Sequence, residues 1–320
     1  MIGEAEKRIL MKLQYEFPLT PTPYRDAAED LGVQPSELLS TLRRLSAAGV
    51  LKRIGFYYNP RSRGVGAALA ALATRDPARA SDELSRRLTL THSYVRDHPV
   101  YKLWVVARYR ALDELLTALE EACRATGCTD YLVLPATRLH RLSVKYDLHL
   151  GVSRAGPYSR VSLNPPSPEE LGVPPRLPEL VRRLPLEEHP YARAAEELGV
   201  SEEEVVEHVH RLLRAGVLGD PGATLNGGRI GFTVNAMYVA EPVPGADACS
   251  WVADNIPYAT HVVSRTVMPG DAYWSYTCFF MVHATSTAKL RVVDEELSRA
   301  PVTRWDRLLS LTDLKPGAQR

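Results

Sequence analysis

Two stretches of the chain carry the residues best suited to chemistry. The first reads THSYVRDHPVYKLWVV from residue 91, and the second reads THVVSRTVMPGDAYWSYTCFFMVH from residue 260. Each places an arginine four residues after a histidine, which pairs His92 with Arg96 and His261 with Arg265. An imidazole titrates near neutral pH, and a guanidinium binds carboxylates through two parallel hydrogen bonds. These pairs predict proton transfer beside a bound carboxylate.

Aromatic side chains accompany both pairs. Because alternate residues of a strand share a face, His92, Tyr94 and Arg96 are predicted to project together, as are His261, Val263 and Arg265. Each of these features alone has an ordinary structural explanation, since aromatic residues are good strand formers. Together they suit a large planar ligand with several carboxylates, whose metal can take an imidazole as axial ligand. Further candidates on the following strands are Tyr101, Trp104, Trp274, Tyr276, Phe279 and His283.

The elements that must position these residues occur twice. PYRDAAEDLGV at 23–33 returns as PYARAAEELGV at 190–200, with eight of eleven positions identical at an offset of 167. Nearly the same offset, 169, relates His92 to His261 and Arg96 to Arg265. A repeat of this length indicates two copies of one structural unit. The chain is therefore predicted to be a tandem duplication.

Each copy has two parts that differ in the spacing of their hydrophobic residues. The first part reads as a short helix stopped at Gly32, a second helix capped by Ser36 and ended by Gly49, and the hairpin-like VLKRIGFYYN, which together predict a winged helix-turn-helix. The second part reads strand, helix, strand, strand, helix, strand, which is the ferredoxin-like β-α-β-β-α-β order. The predicted fold class is α+β. The predicted domains are a winged helix-turn-helix at 1–63, a ferredoxin-like domain at 64–150, a Pro-rich linker at 151–176, and the second copies at 177–230 and 231–320.

Composition and charge argue against several classes of protein. The net charge of +1 gives no general attraction to nucleic acid, which disfavours DNA binding without excluding a local basic patch. No apolar run reaches the length of a membrane-spanning helix, and a cytoplasmic location is expected. The four cysteines lack the spacing of a zinc site and are predicted to be small buried or half-buried thiols in a reducing compartment.

The motifs resemble a known family. A winged helix-turn-helix joined to a ferredoxin-like domain resembles the Lrp/AsnC regulators, and the finer motifs resemble their enzymatic relatives, the siroheme decarboxylases. HSYVRDHPVYKLWVV and LPATRLHRLSVKYDL resemble one subunit of that family, whereas NAMYVAEP, THVVSRTV and YWSYTCFFMVHA resemble the other. The resemblance implies that the two usual subunits are fused in one chain as an intramolecular pseudo-heterodimer, with further oligomerisation left open.

The resemblance also implies an activity. Such a carboxy-lyase removes carboxyl groups from two acetate side chains of siroheme to give didecarboxysiroheme in heme biosynthesis, with no cofactor beyond the iron tetrapyrrole substrate. Proton transfer is assigned to His261 or His92, with His283 third, and His92 or His261 is the candidate axial ligand of the substrate iron. The predicted substrate-binding residues are Arg96, Arg265, Tyr94, Tyr101, Trp274, Tyr276 and, from the wing, Lys52 and Arg53.

The two halves depart from the family pattern to different extents. Val263 stands where the first half has Tyr94, so one half is expected to hold the active site while the other is mainly scaffold. Two alternatives remain: a DNA-binding regulator of the Lrp/AsnC type and a heme-binding sensor without catalysis. A regulator needs a basic recognition helix in both halves, whereas the second candidate helix, SEEEVVEHVHRLLRAG, opens with three glutamates that repel phosphate.

Overall fold

The computed structural model describes residues 2–268 and 274–315, so the tip of the second predicted hairpin and the end of the last predicted domain lie outside the described residues. The described helices are α1 Glu4–Tyr15, α2 Pro23–Leu31, α3 Pro35–Ala47, α4 Pro77–Arg87, α5 Leu112–Thr126, α6 Leu177–Val181, α7 Ala192–Leu198, α8 Glu202–Arg214, α9 Ala248–Asn255 and α10 Arg291–Leu297. The described strands are β1 Leu51–Tyr58, β2 Gly66–Ala73, β3 Thr89–Arg96, β4 Leu103–Tyr109, β5 Asp130–Leu142, β6 Tyr146–Asp147, β7 Val152–Ser153, β8 Leu218–Leu225, β9 Val234–Pro242, β10 His261–Arg265, β11 Cys278–Ala284 and β12 Val302–Asp313.

The helices of the two helix-turn-helix copies share one hydrophobic core. Leu38 and Leu42 of α3 are buried in the same cluster as Val205 and Val209 of α8. As predicted, Gly32 ends α2 in the left-handed conformation, at φ 69°. The predicted Ser36 cap is wrong, because α3 begins at Pro35 after Gln34, without a side-chain cap. Proline fits this first helical position because its fixed φ is already helical.

The predicted wing hairpins do not form. Instead, β1 of the first copy pairs antiparallel with β8 of the second, from Leu51 opposite Leu225 to Tyr58 opposite Leu218. Each copy supplies only one strand, so the backbone groups of that strand find partners across the duplication. Two glycines allow the close packing: a Cβ on Gly55 would lie 2.4 Å from Arg182 O, and one on Gly222 2.0 Å from Leu13 O. The two helical parts therefore form one body, which we call the helical unit (α1–α3, α6–α8, β1 and β8).

The β-α-β-β-α-β order is confirmed in both copies. The strand order is β5-β2-β4-β3 in the first copy and β12-β9-β11-β10 in the second. The copies join through β3 with β12 and through β10 with β5, so these eight strands close into a ring. Helices α4 and α5 cover the outer face of one half, and α9 and α10 cover the other. The inner face is one core built from both copies, with Trp104 and Leu132 packed among Met237, Trp274 and Phe279.

The segment predicted as a linker is largely irregular. Within 151–176 it contains β7 and a short 3-10 turn at Glu169–Leu171. Strand β7 pairs with β11 and, with β6, extends the sheet beside the ring. No helix among the described residues is long and apolar enough to cross a membrane.

The prediction of free thiols is wrong for one pair of cysteines. Cys249 on α9 and Cys278 on β11 form a disulfide, whereas Cys123 and Cys128 are free thiols. The bonded pair is separated by 29 residues, and the packing of α9 on β11 brings the two Cα atoms to 5.3 Å. Spacing in the sequence did not indicate this proximity, because it depends on tertiary packing.

Candidate active site

The inner face of β3 carries the first predicted triplet. The ring centroids of His92 and Tyr94 lie 6.2 Å apart, and the guanidinium carbon of Arg96 lies 5.3 Å from the centroid of the Tyr94 ring. Trp104 of β4, which belongs to the inner core, is opposite Tyr94 in the sheet. The predicted common face of the three side chains is therefore confirmed.

Arg96 is buried without a full set of acceptors. It is 3% exposed, Nη1 donates to Leu308 O at 2.8 Å, and Nη2 lies 3.5 Å from Asn235 Oδ1. Its Nε is buried and has no acceptor among the described residues. Burial lowers the pKa of Arg96 to about 10, against the opposing effects of Tyr94 and Asp97. The group is still cationic at neutral pH, and the unsatisfied donor favours an anion beside it.

Cross-strand register places Arg96 in a polar row across the two copies. Arg96 is opposite Ser310 of β12, and Asn235 of β9 is opposite His283 of β11. Ala236 is opposite Leu309, so continuing this register by one residue places Asn235 beside Ser310. We call Arg96, Ser310, Asn235 and His283 the Arg96 row. Its first member comes from the first copy and the other three come from the second.

The equivalent row at the other junction has different chemistry. Arg265 of β10 is opposite Ala136 of β5, and Ala67 of β2 is opposite Arg108 of β4. Ala68 is opposite Pro135, so the next pair in this register is Ala67 and Ala136. We call Arg265, Ala136, Ala67 and Arg108 the Arg265 row. The serine and asparagine positions of the Arg96 row hold alanine here, and the His283 position holds arginine.

Positive charge accumulates at the Arg265 row. Arg265 Nη1 donates to Leu134 O at 2.7 Å, which mirrors the bond from Arg96 to Leu308. Arg61 donates from Nη2 to Ala67 O at 3.4 Å, which brings a third guanidinium to the row. Burial, and then the charge of Arg61, lower the pKa of Arg265 to about 10. Among the described residues, none of these three arginines forms an ion pair with a carboxylate.

The predicted aromatic residues meet between the copies. The Trp274 ring lies 5.9 Å from Tyr101, 5.5 Å from Trp104 and 5.2 Å from Tyr276. Tyr101 and Trp274 are only 8% and 7% exposed, and both belong to the inner core. The structure thus brings these residues together as the apolar centre of the ring.

His98 belongs to the same aromatic cluster and was missed in the sequence. Its ring lies 5.6 Å from Trp274. Its Nδ1 accepts hydrogen bonds from the backbone N–H of Val100 at 3.2 Å and of Tyr101 at 2.9 Å. Burial lowers the pKa of this imidazole. The Asp-His-Pro sequence at 97–99 is a turn signal, but it did not indicate that the imidazole would accept these backbone hydrogen bonds.

The remaining sequence candidates lie in different places. His261 is on β10 opposite Leu142, on the face that carries Arg265. Arg53 does not point into the ring: its Nη1 donates to Phe56 O at 2.9 Å and to Arg182 O at 2.8 Å. Arg53 and Lys52 line a cavity of about 550 Å³ inside the helical unit. No group of three or more His, Cys, Asp or Glu in the described part of the chain is arranged to hold a metal ion.

Asn235 and Ser310 were also missed. Asn235 opens the quoted NAMYVAEP motif, and strand alternation placed it on the face of Met237. No pattern in the sequence indicated that β12 would bring Ser310 to Arg96, because that pairing joins the two copies.

Comparison with known proteins gives consistent matches. Residues 6–51 and 177–218 match a family model described as the siroheme decarboxylase NirDL-like HTH domain, and residues 229–315 match the AsnC-like ligand binding domain. The siroheme decarboxylase NirDL subunit of Paracoccus pantotrophus is 30% identical over 300 residues, covering 90% of this chain and 87% of that protein.

Two solved structures share the fold. The crystal structure of the siroheme decarboxylase NirDL matches with a TM-score of 0.63 at 23% identity, over 98% of this chain and 92% of that chain. The same enzyme in co-complex with an iron-uroporphyrin III analogue matches with a TM-score of 0.61 at 22% identity, with the same coverage. The relative from Paracoccus and the matched helix-turn-helix model establish that this chain belongs to the siroheme decarboxylase family.

Proposed function

We propose that this chain is a carboxy-lyase that removes carboxyl groups from two acetate side chains of siroheme, giving didecarboxysiroheme, and that the Arg96 row is its reacting site. The observation that carries the assignment is the composition of that row. It places a buried guanidinium with an unsatisfied donor next to Asn235, which is in turn opposite His283 on β11, and His92 and Tyr94 lie on the same face as Arg96. The Arg265 row has no equivalent of Asn235, Ser310 or His283.

Arg96 is proposed to bind a substrate carboxylate that does not react. Its bond to Leu308 O and its packing on Tyr94 fix the orientation of the guanidinium. A planar group held in this way binds a carboxylate with little further ordering. Asn235 and Ser310 supply neutral hydrogen-bonding groups next to it, which suit the remaining oxygen atoms of a polycarboxylate.

The reaction requires one proton for each carboxyl group lost. The bond between the acetate methylene and the carboxyl carbon breaks, carbon dioxide leaves, and the electron pair is taken up by the macrocycle. A proton then adds at the methylene carbon, which becomes a methyl group. Imidazole is suited to this transfer at neutral pH, and the proposal assigns it to His283. The iron belongs to the substrate, and His92 is its candidate axial ligand.

The Arg265 row is proposed to bind carboxylates without moving protons. Its arginines, with Arg61, create a positive potential at the second junction of the ring. Such a potential attracts a polycarboxylate and aligns it before it binds. His261 keeps the position of His92 at this junction, but the neighbouring polar groups of the Arg96 row are missing.

The test is an anaerobic incubation of the purified chain with siroheme, followed by mass spectrometry of the tetrapyrrole. The expected product has lost two carboxyl groups per molecule. His283→Gln is the matched variant, because its amide is similar in size to the imidazole and cannot supply the proton. Unchanged siroheme in a sample shown to be folded contradicts the proposal. Binding without loss of carboxyl groups identifies a sensor instead, and sequence-specific DNA binding at physiological salt identifies a regulator.

A further inference from the structure

The end of the first copy lies against the strand that carries His283. Tyr146 of β6 is opposite Ser153 of β7, and Val152 of β7 is opposite Ala284 of β11. The backbone N–H of His283 donates to Ser153 Oγ at 2.9 Å. The β6–β7 pair is therefore attached to the backbone of the residue to which we assign proton transfer.

The side chain of Tyr146 contacts the imidazole of His283. The two ring centroids are 5.8 Å apart at an interplanar angle of 63°. On its other side Tyr146 packs on Phe232, with centroids 4.7 Å apart at 61°. A Cβ on Gly227 would lie 2.8 Å from the Tyr146 hydroxyl, so the end of the ring fits only against glycine. The ring is thus confined between these neighbours and limits the orientations open to His283.

The backbone of Tyr146 is held by one side chain of the helical unit. Gln14 of α1 is 1% exposed. Its Nε2 donates to Tyr146 O at 3.1 Å, and its Oε1 accepts from Tyr146 N at 2.9 Å. The amide thus satisfies both backbone groups of Tyr146 as a neighbouring strand would. A buried amide with both ends bonded is costly to disrupt, because each lost bond leaves an unpaired polar group in the interior.

We infer that Tyr146 is a positioning residue for His283 and that Gln14 positions Tyr146, so that the helical unit sets the geometry of the reacting imidazole. This inference rests on the proposed function in taking His283 as a reacting group. It gives the helical unit a role in catalysis that does not involve DNA. An imidazole displaced by about 1 Å can lose much of its catalytic effect, so a distant buried amide can affect the rate.

The experiment compares four variants. Tyr146→Leu removes the ring, and Tyr146→Phe keeps the ring and removes only the hydroxyl. Gln14→Leu removes both hydrogen bonds to the Tyr146 backbone without touching His283. Gln34→Leu makes the same chemical change at an exposed position of the helical unit and is the matched control. Folding of each variant is checked by circular dichroism and thermal unfolding.

Two measurements are made on each variant. The first is the steady-state rate with siroheme, separated into kcat and KM. The second is the Cε1–H resonance of His283, identified among the nine histidines by its absence in His283→Gln and recorded without substrate. Because a nearby aromatic ring shifts the resonance of an imidazole, this second readout does not depend on activity.

We expect Tyr146→Leu and Gln14→Leu to lower kcat about tenfold with KM within about twofold, and to shift the His283 resonance. Tyr146→Phe is expected to retain the kcat and the His283 resonance of the unmodified chain. Gln34→Leu is expected to change neither quantity. An unchanged His283 resonance and unchanged kcat in folded Gln14→Leu overturn the role of Gln14, and the same result in Tyr146→Leu overturns the whole inference. Should the unmodified chain leave siroheme intact, the proposed function fails while the resonance still reports whether Gln14 and Tyr146 position His283.

Discussion

His283 and Arg108 occupy equivalent positions in the two copies. Phe279 is opposite Val263 in the second copy, and Trp104 is opposite Tyr94 in the first. His283 lies four residues after Phe279 on β11, and Arg108 lies four residues after Trp104 on β4. The Arg96 row therefore ends at an imidazole, whereas the Arg265 row ends at a guanidinium. The duplication has been kept in the backbone while the chemistry of its two junctions has diverged.

The histidines are expected to differ in importance. His283→Gln should lower kcat about a hundredfold or more, because general acid catalysis by a placed imidazole typically contributes at least that factor. His261→Gln, at the Arg265 row, should lower kcat by less than about tenfold. The measurement is the rate of product formation at saturating siroheme under anaerobic conditions. A larger loss in His261→Gln than in His283→Gln would move the reacting site to the other junction.

Arg108 is expected to affect binding rather than chemistry. Arg108→Ala should raise KM for siroheme about fivefold and leave kcat within about twofold, because a charge that attracts the ground state and the transition state equally changes only KM. The KM of the unmodified chain should also rise with salt, and more steeply than in the variant. Exposed Arg110, directly after the same strand, provides the control: Arg110→Ala should change neither value. A fall in kcat without a change in KM contradicts this assignment.

His98 is expected to make the fold sensitive to acid. Burial, with a smaller contribution from Lys102, holds the pKa of His98 below its ordinary value of 6.5, and Asp306 and Asp97 oppose the shift. The unfolded chain therefore binds this proton more readily than the folded chain. The contribution of His98 to the free energy of unfolding should be fully present above about pH 6.5. It should be lost as the pH falls from that value through the pKa of His98 in the folded chain.

The check is the pH dependence of denaturant unfolding between about pH 7 and pH 5. His98→Asn keeps an acceptor for the N–H groups of Val100 and Tyr101 and removes the titration, so its slope with pH should be smaller. Equal slopes in the two proteins would show that His98 does not contribute.

The disulfide is expected to stabilise the second copy. Cys249 and Cys278 close a loop of 29 residues. The chain-entropy model gives about 3–4 kcal/mol for a loop of that size. Reduction, or Cys249→Ser, should lower the unfolding midpoint, whereas Cys128→Ser should leave the bond in place. Thiol titration of the denatured chain should give two thiols before reduction and four after it. Four thiols in the untreated protein would show that the bond is not formed.

Local patterns in the sequence predicted the elements and the shared face of one triplet. The duplication follows from the repeat at an offset of 167, whereas the β-α-β-β-α-β order and the common face of His92, Tyr94 and Arg96 follow from periodicities within a few residues. The common face is confirmed because alternation along a strand does not depend on what the strand packs against. The same reasoning failed for the wings, since β1 satisfies its hydrogen bonds with a strand more than 150 residues away.

Only the tertiary structure decided which residues meet. The sequence determined that the chain holds two unequal copies with a histidine and an arginine in each. It did not determine that Arg96 would lie next to Ser310 and Asn235 of the other copy, in one row with His283, or that Gln14 would hold Tyr146 against His283. The row depends on the closure of the sheet between copies, where register is set by packing of the shared inner core rather than by any local pattern. The contact of Gln14 depends on the packing of α1 against β6.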